Sequence, residues 1–182
     1  AFMKTAAQAH ELASSLVRVG RLAKKEVTAF ITSMEAPLGR AIGNALETAE
    51  ALESLRGGGP DDLKELTLVL GAEMLQLGKV AKNESAARAM LEGAIKDRRG
   101  AGRMRQIIRA QGGDARVVDE PDRLPRAKVV PEVRASSDGF VTGIDPLSLG
   151  LTGVAMGAGR TRADQPVDPR VGIVVRATIG TR

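Results

Sequence analysis

The stretch of sequence that decides the fold is TSMEAPLGRAIGNALETAEALE, residues 32–53. The apolar run before it, residues 27–31, predicts a β-strand. Pro37 and two glycines then predict a tight turn, and a helix is expected from Asn44 onward. A strand, a tight turn and a helix in this order are typical of the edge of an α/β sheet, where backbone carbonyls and helix-borne carboxylates meet.

The turn and the helix together are compatible with a cation site. Proline and glycine in the turn allow the carbonyls of Leu38 and Ala41 to point to the same side. With an N-cap at Asn44, Glu47 and Glu50 lie one turn apart on the same helical face. Carbonyl oxygens and a carboxylate suit a hard cation. A capped helix with two solvated glutamates explains the same spacing, and spacing alone favours it.

Five short motifs extend this pattern along the chain in one order. They are AFMK (1–4), PLGRAIGNALE (37–47), GGPDDL (58–63), QGGD (111–114) and GAGR (157–160). The series resembles the thymidine phosphorylase/pyrimidine-nucleoside phosphorylase family over essentially all 182 residues. The resemblance implies an α/β protein: the later part of a layered α/β phosphorylase domain (1–127), then the start of a small, β-rich α+β C-terminal domain (128–182).

The resemblance also implies a potassium ion. In that family the ion is held partly by carbonyls at the positions of Leu38 and Ala41, and by a carboxylate at the position of Glu50. All three positions are suitably filled here. Because any residue supplies a carbonyl, the inference is residue-specific only at the side chain of Glu50.

The reaction that the resemblance implies is reversible phosphorolysis of a pyrimidine nucleoside. Phosphate is the co-substrate, and the products are the free base and a pentose 1-phosphate. The phosphate-binding and base-binding polar groups of the family are not matched in this chain, so we assign no catalytic residue here. The resemblance implies that two apolar side chains, Met3 and Leu16, form a wall of the base pocket, whereas the sequence alone favours core packing for both.

Two other functions stay open. A nucleoside-monophosphate phosphorylase of the same family would share these motifs. A non-catalytic basic module would fit the net charge of +5 and the pI near 10.0. The basic residues are scattered, however, and the sequence has no Trp or Tyr on which bases could stack. We therefore expect no nucleic-acid partner.

Other features bound the class of protein. The chain has no cysteine, which excludes disulfides and thiolate metal sites, and its single histidine, His10, has no obvious catalytic partner. No apolar run approaches the roughly 18 residues of a membrane span, and no signal peptide opens the chain. The sequence predicts a cytoplasmic protein without a membrane partner, and the resemblance predicts a homodimer.

Hydrophobic periodicity predicts a largely helical first part and a more β-rich second part. Helices are expected at about 6–19, with an inward apolar face, and at 44 onward, 60–77, 84–96, 101–110 and 146–157. Strands are expected at 27–31, 129–135, 140–144 and 171–178.

A protein that consists of these 182 residues is expected to be inactive, because the chain contains no polar constellation for phosphorolysis. The measurement is release of free base from thymidine or uridine in phosphate buffer. Base release above that of a heat-inactivated control would contradict the expectation.

Overall fold

The computed structural model describes residues 3–182, so Ala1 and Phe2 of the first motif lie outside the described residues. The described part is mostly helical with a small sheet. Its elements are α1 (Ala6–Leu22), β1 (Ala41–Ile42), α2 (Asn44–Leu55), α3 (Asp61–Leu77), α4 (Glu84–Lys96), α5 (Arg99–Ala110), two 3-10 turns (Ala115–Val118 and Pro121–Arg123), α6 (Pro146–Met156) and β2 (Ile173–Val174). No helix in this part of the chain is long and apolar enough to cross a bilayer.

The helices begin and end close to the positions that the sequence predicts, because their signals are local. The Thr5 side chain caps α1 by accepting a hydrogen bond from the N–H of Gln8 at 3.2 Å. Asp145 caps α6 in the same way, with Pro146 in its first turn. Helix α1 continues through Gly20 to Leu22, three residues further than expected.

The first compact unit consists of the described residues up to Met34 together with Glu65–Gly93. Within it α3 packs closely on α4, since a Cβ on Gly71 would lie 2.9 Å from a methyl carbon of Leu91. Leu68, Ala72 and Ala87 are its buried apolar residues. The guanidinium of Arg88 binds both carboxylate oxygens of Glu65, at 2.8 and 2.5 Å.

Helix α1 in this unit has no buried residue, although its apolar side was expected to face inward. Leu16, Val19 and Leu22 are exposed over 57%, 61% and 79% of their surface. The periodicity correctly predicted the helix and its apolar stripe. Within the described residues, however, nothing covers that stripe fully.

The second compact unit consists of Glu35–Lys64 and Ala94–Arg182. Its core joins Leu52 of α2, Ala101 of α5 and Val118 of the first 3-10 turn, all 0% exposed. Full burial of a Leu or Val side chain stabilises a fold by about 1.5–3 kcal/mol. These contacts therefore fix α2 on α5.

The sheet of the second unit has two short antiparallel strands. Ala41 pairs with Val174 and Ile42 with Ile173, and the N–H of Val175 donates to the carbonyl of Arg40 at 2.8 Å. The two strands come from opposite sides of position 127/128. The division into domains at that position stays a prediction.

The strands predicted at 27–31, 129–135 and 140–144 are wrong, and only Ile173–Val174 of the run 171–178 forms a strand. A strand exists only where a neighbouring strand supplies its hydrogen bonds, and β1–β2 is the one strand pair among residues 3–182. Val141 exchanges two backbone hydrogen bonds with Gly180 and Thr181, which is too short a contact to form a strand. The apolar side chains Val129, Val133 and Phe140 stay 79%, 98% and 69% exposed. The observed architecture is a mostly helical one with a small sheet.

Two glycines allow the segment before β2 to contact the start of α2. Gly43 has φ +124°, and a Cβ there would overlap the carbonyl oxygen of Val171. A Cβ on Gly172 would likewise overlap the carbonyl oxygen of Ile42. The backbone at residues 42–43 and the backbone at residues 171–172 are so close that only glycine fits at positions 43 and 172.

We expect Gly43→Ala to destabilise the chain by about 2 kcal/mol or more, because alanine adds backbone strain and a steric clash. Gly102→Ala is the control, since a Cβ added to Gly102 in α5 would meet no heavy atom within 4 Å beyond its own helix backbone. That change should be neutral or stabilising by about 0.5–1 kcal/mol. Urea unfolding measures both, and equal effects would contradict the close approach.

Candidate functional site

The candidate site is built at the start of α2. The N-cap of this helix is Gly43, one residue before the position that the sequence predicts, and Asn44 is the first helical residue. Glu47 folds back so that its Oε1 accepts a hydrogen bond from the N–H of Gly43 at 2.9 Å. The N–H of Ala45 donates to the carbonyl of Pro169 at 3.1 Å. Glu47 therefore binds back to the N-cap residue, as the glutamate of a capping box does, although Gly43 has no side chain to complete such a box.

Glu50, three residues further along α2, contacts the turn before β1. Its Oε1 accepts a hydrogen bond from the N–H of Arg40 at 3.0 Å. A Cβ on Gly39, whose φ is +70°, would overlap the other oxygen, Oε2. Glu50 is thus held against the turn, and glycine at position 39 makes the room for its carboxylate.

A second carboxylate holds the same turn. Asp62, in the first turn of α3, accepts a hydrogen bond on Oδ2 from the N–H of Gly39 at 3.0 Å. Its Oδ1 accepts from the N–H of Leu63 at 2.9 Å. The amides of Gly39 and Arg40, which follow each other in the chain, are therefore bound by carboxylates from two different helices.

The contact of Asp62 with the turn is not predictable from the sequence. The motif GGPDDL predicts a helix N-terminus, where an aspartate is favourable in any case. Asp62 and Gly39 lie 23 positions apart, and no spacing rule connects them. The sequence connects the two residues only in that PLGRAIGNALE, which contains Gly39, and GGPDDL, which contains Asp62, belong to the same series of family motifs.

The carbonyl of Ala41 faces away from the partner strand. In an antiparallel ladder successive residues direct their polar groups to opposite edges. The carbonyl of Arg40 is bonded to Val175, and Ala41 is the next residue, paired in register with Val174. Its oxygen is therefore not used by β2.

The structure brings one predicted side chain to the turn and leaves two others in the first compact unit. Glu50 lies directly against the turn that contains Leu38 and leads into Ala41. Met3 and Leu16 belong to the first unit, where Met3 is partly buried and Leu16 is 57% exposed. Their role as a pocket wall stays a prediction.

The oxygen atoms at the turn could hold a cation. Within residues 3–182 no group of three or more His, Cys, Asp or Glu side chains is arranged to hold a metal ion. Backbone carbonyl oxygens can replace the hydration shell of potassium, as they do in channel selectivity filters. Leu38 and Ala41 offer carbonyls, and Oε2 of Glu50 accepts no hydrogen bond from the described residues. Two carbonyls and one carboxylate are therefore compatible with a bound potassium ion.

An ion-pair cluster fixes the other end of α2. Arg105 of α5 binds both carboxylate oxygens of Asp119, at 2.9 and 2.6 Å, and Arg56, just after α2, donates to the Asp119 carbonyl at 3.2 Å. The hydrogen bonds from Arg105 hold the pKa of Asp119 below its ordinary value. The helix that carries Glu50 is thus tied to α5 at its C-terminal end.

The chain is similar to known proteins over its whole length. It is 43% identical over 180 residues to a pyrimidine-nucleoside phosphorylase of Geobacillus stearothermophilus, an alignment that covers 99% of this chain. It is 42% identical over 182 residues to the pyrimidine-nucleoside phosphorylase of Staphylococcus aureus strain USA300, covering 100% of this chain. Residues 140–182 match the family described as the pyrimidine nucleoside phosphorylase C-terminal domain.

The resemblance to the pyrimidine-nucleoside phosphorylases is confirmed. The chain spans 42% of the length of both relatives and corresponds to the C-terminal part of these phosphorylases. Glu50 and the turn lie within the aligned region, and the matched C-terminal domain contains β2.

Proposed function

We propose that these 182 residues act as the C-terminal-side part of a pyrimidine-nucleoside phosphorylase. The enzyme cleaves a pyrimidine nucleoside with phosphate to give the free base and a pentose 1-phosphate. The observation that carries the proposal is the 42–43% identity to two pyrimidine-nucleoside phosphorylases over 99–100% of the chain. The names of both relatives support a nucleoside, rather than a nucleoside monophosphate, as the substrate.

The same proposal includes the finer architecture. It takes residues 1–127 as part of a layered α/β domain and residues 128–182 as the start of an α+β C-terminal domain. The match of residues 140–182 to a C-terminal-domain family supports the second of these. Homodimer formation and a cytoplasmic location stay predictions from the sequence.

The proposed contribution of this chain to the enzyme is a potassium site at the turn before β1. The carbonyls of Leu38 and Ala41 and the carboxylate of Glu50 would hold the ion. Bound there, the ion would supply a fixed positive charge at the start of α2. Glu50 has a second task that needs no ion, since its Oε1 binds the Arg40 N–H at 3.0 Å and orients the turn.

A non-catalytic basic module has less support. Several arginines that could contact an acidic partner are paired with carboxylates of the same chain, which reduces the positive charge free to bind phosphates. Arginines that bind both oxygens of one carboxylate include Arg88, Arg105, Arg116, Arg162 and Arg170.

The test uses a phosphorylase of the relatives' length that carries this sequence. It should release base from uridine or thymidine only when phosphate is present, and release should rise with potassium but not with lithium. Nucleoside monophosphates should be cleaved poorly. Cleavage that prefers the monophosphates would replace the nucleoside assignment, and absence of any phosphate-dependent cleavage would contradict the proposed activity.

Within that enzyme, Glu50→Gln should weaken the response to potassium, because the substitution removes the charge at the ion while leaving an oxygen for the Arg40 N–H. We expect about tenfold more potassium to be needed for half-maximal activity, which corresponds to a loss of about 1.4 kcal/mol. Glu53→Gln, one turn further along the exposed part of α2, is the matched control. An unchanged potassium titration in Glu50→Gln would remove Glu50 from the site.

A further inference from the structure

The direction of the Leu38 carbonyl is set by the group that binds the Gly39 N–H. A peptide unit is planar and trans, so its C=O and N–H point in opposite directions. The Leu38 C=O and the Gly39 N–H belong to one such unit, and the described chain contains no cis peptide bond. Whatever accepts a hydrogen bond from Gly39 therefore aims the Leu38 oxygen the other way.

Asp62 is that acceptor. The 3.0 Å hydrogen bond from the Gly39 N–H ends on Oδ2 of Asp62. The other oxygen, Oδ1, accepts from the Leu63 N–H at 2.9 Å. Because both oxygens are engaged, the carboxylate has a fixed orientation. Its negative charge also lies at the N-terminal end of α3, which stabilises it there.

Glu50 acts on the next peptide unit. It binds the Arg40 N–H at 3.0 Å, and this fixes the carbonyl of Gly39 rather than that of Leu38. The two carboxylates thus have separate tasks in the turn. Glu50 cannot replace Asp62, because Glu50 does not bind the peptide unit that carries the Leu38 oxygen.

We propose that Asp62 is a positioning residue that aims the Leu38 carbonyl toward the cation site. The proposal rests on the proposed potassium site and deepens it. Asp62 does not contact the ion, since its two oxygens accept backbone hydrogen bonds. Without Asp62 the Leu38 peptide is free to rotate, and the site loses one pre-oriented oxygen.

A role in capping α3 alone is the competing explanation, and Asp61 distinguishes the two. Asp61 lies beside Asp62 in the same first turn and carries the same charge near the same helix dipole. It has no hydrogen bond to the turn before β1 among the described residues. If Asp62 acts only on α3, removing either aspartate should have a similar effect.

The experiment measures the thermal unfolding midpoint of the phosphorylase carrying this sequence, titrated with potassium and with lithium. In Asp62→Ala the potassium concentration for half-maximal stabilisation should rise about tenfold, the expected size for loss of one hydrogen bond to a charged group. Asp62→Asn, which keeps an acceptor oxygen, should restore most of the response. Asp61→Ala should titrate like the unmodified protein.

A second readout does not depend on potassium. Amide hydrogen exchange of the segment containing Gly39, followed by mass spectrometry in lithium, should speed up in Asp62→Ala and not in Asp61→Ala. If Asp62→Ala fails to fold, Asp62→Ser replaces it, because serine keeps a polar oxygen in the first turn of α3 but is too short to reach Gly39.

The outcomes separate the two proposals. An unchanged potassium titration in Asp62→Ala or Asp62→Ser, with a weakened one in Glu50→Gln, overturns the role of Asp62 and leaves the cation site standing. Unchanged titrations in both Glu50→Gln and the Asp62 variants overturn the site itself. If Asp61→Ala and Asp62→Ala weaken the response to potassium equally, the two aspartates have a general effect on α3 and the positioning role is overturned.

Discussion

The central constraint in the described structure is the pair of carboxylates that bind successive amides of one turn. Glu50 comes from α2 and Asp62 from α3, and they accept hydrogen bonds from Arg40 and Gly39. Hydrogen bonds to charged acceptors are stronger than neutral ones, each contributing about 1.5–3 kcal/mol. The turn is therefore fixed by two helices at once. Since the C=O and N–H of a peptide unit point in opposite directions, the Leu38 carbonyl points away from Asp62 and the Gly39 carbonyl points away from Glu50.

The rest of the second unit keeps α2 in place for this task. Leu52 fixes the middle of the helix in the core, and Arg56 ties its end to the chain at Asp119. At its start, Gly43 lets the backbone approach Val171. The strand pair beyond it holds Ala41 in register with Val174. Core packing, an ion-pair cluster and a short sheet thus hold α2 in place and with it the orientation of Glu50.

Much of this could be predicted from the sequence, and the missing part has a physical reason. The helices follow from periodicity and capping residues, which are local, so their bounds agree closely. The strands failed because pairing depends on distant partners: residues 129–135 have the composition of a strand but no neighbour to pair with among residues 3–182. The proposed role of Glu50 came from the family resemblance. That of Asp62 needed coordinates, because its partner Gly39 is 23 positions away.

The most direct test is a crystal structure of the phosphorylase that carries this sequence, determined from crystals soaked with thallium(I). Thallium(I) resembles potassium in charge and size and is located by its anomalous scattering. We expect an anomalous peak in contact with the Leu38 carbonyl, the Ala41 carbonyl and the Glu50 carboxylate, with Asp62 still bound to the Gly39 N–H. A turn without such a peak, or a Leu38 carbonyl directed away from Glu50, would contradict the proposed cation site.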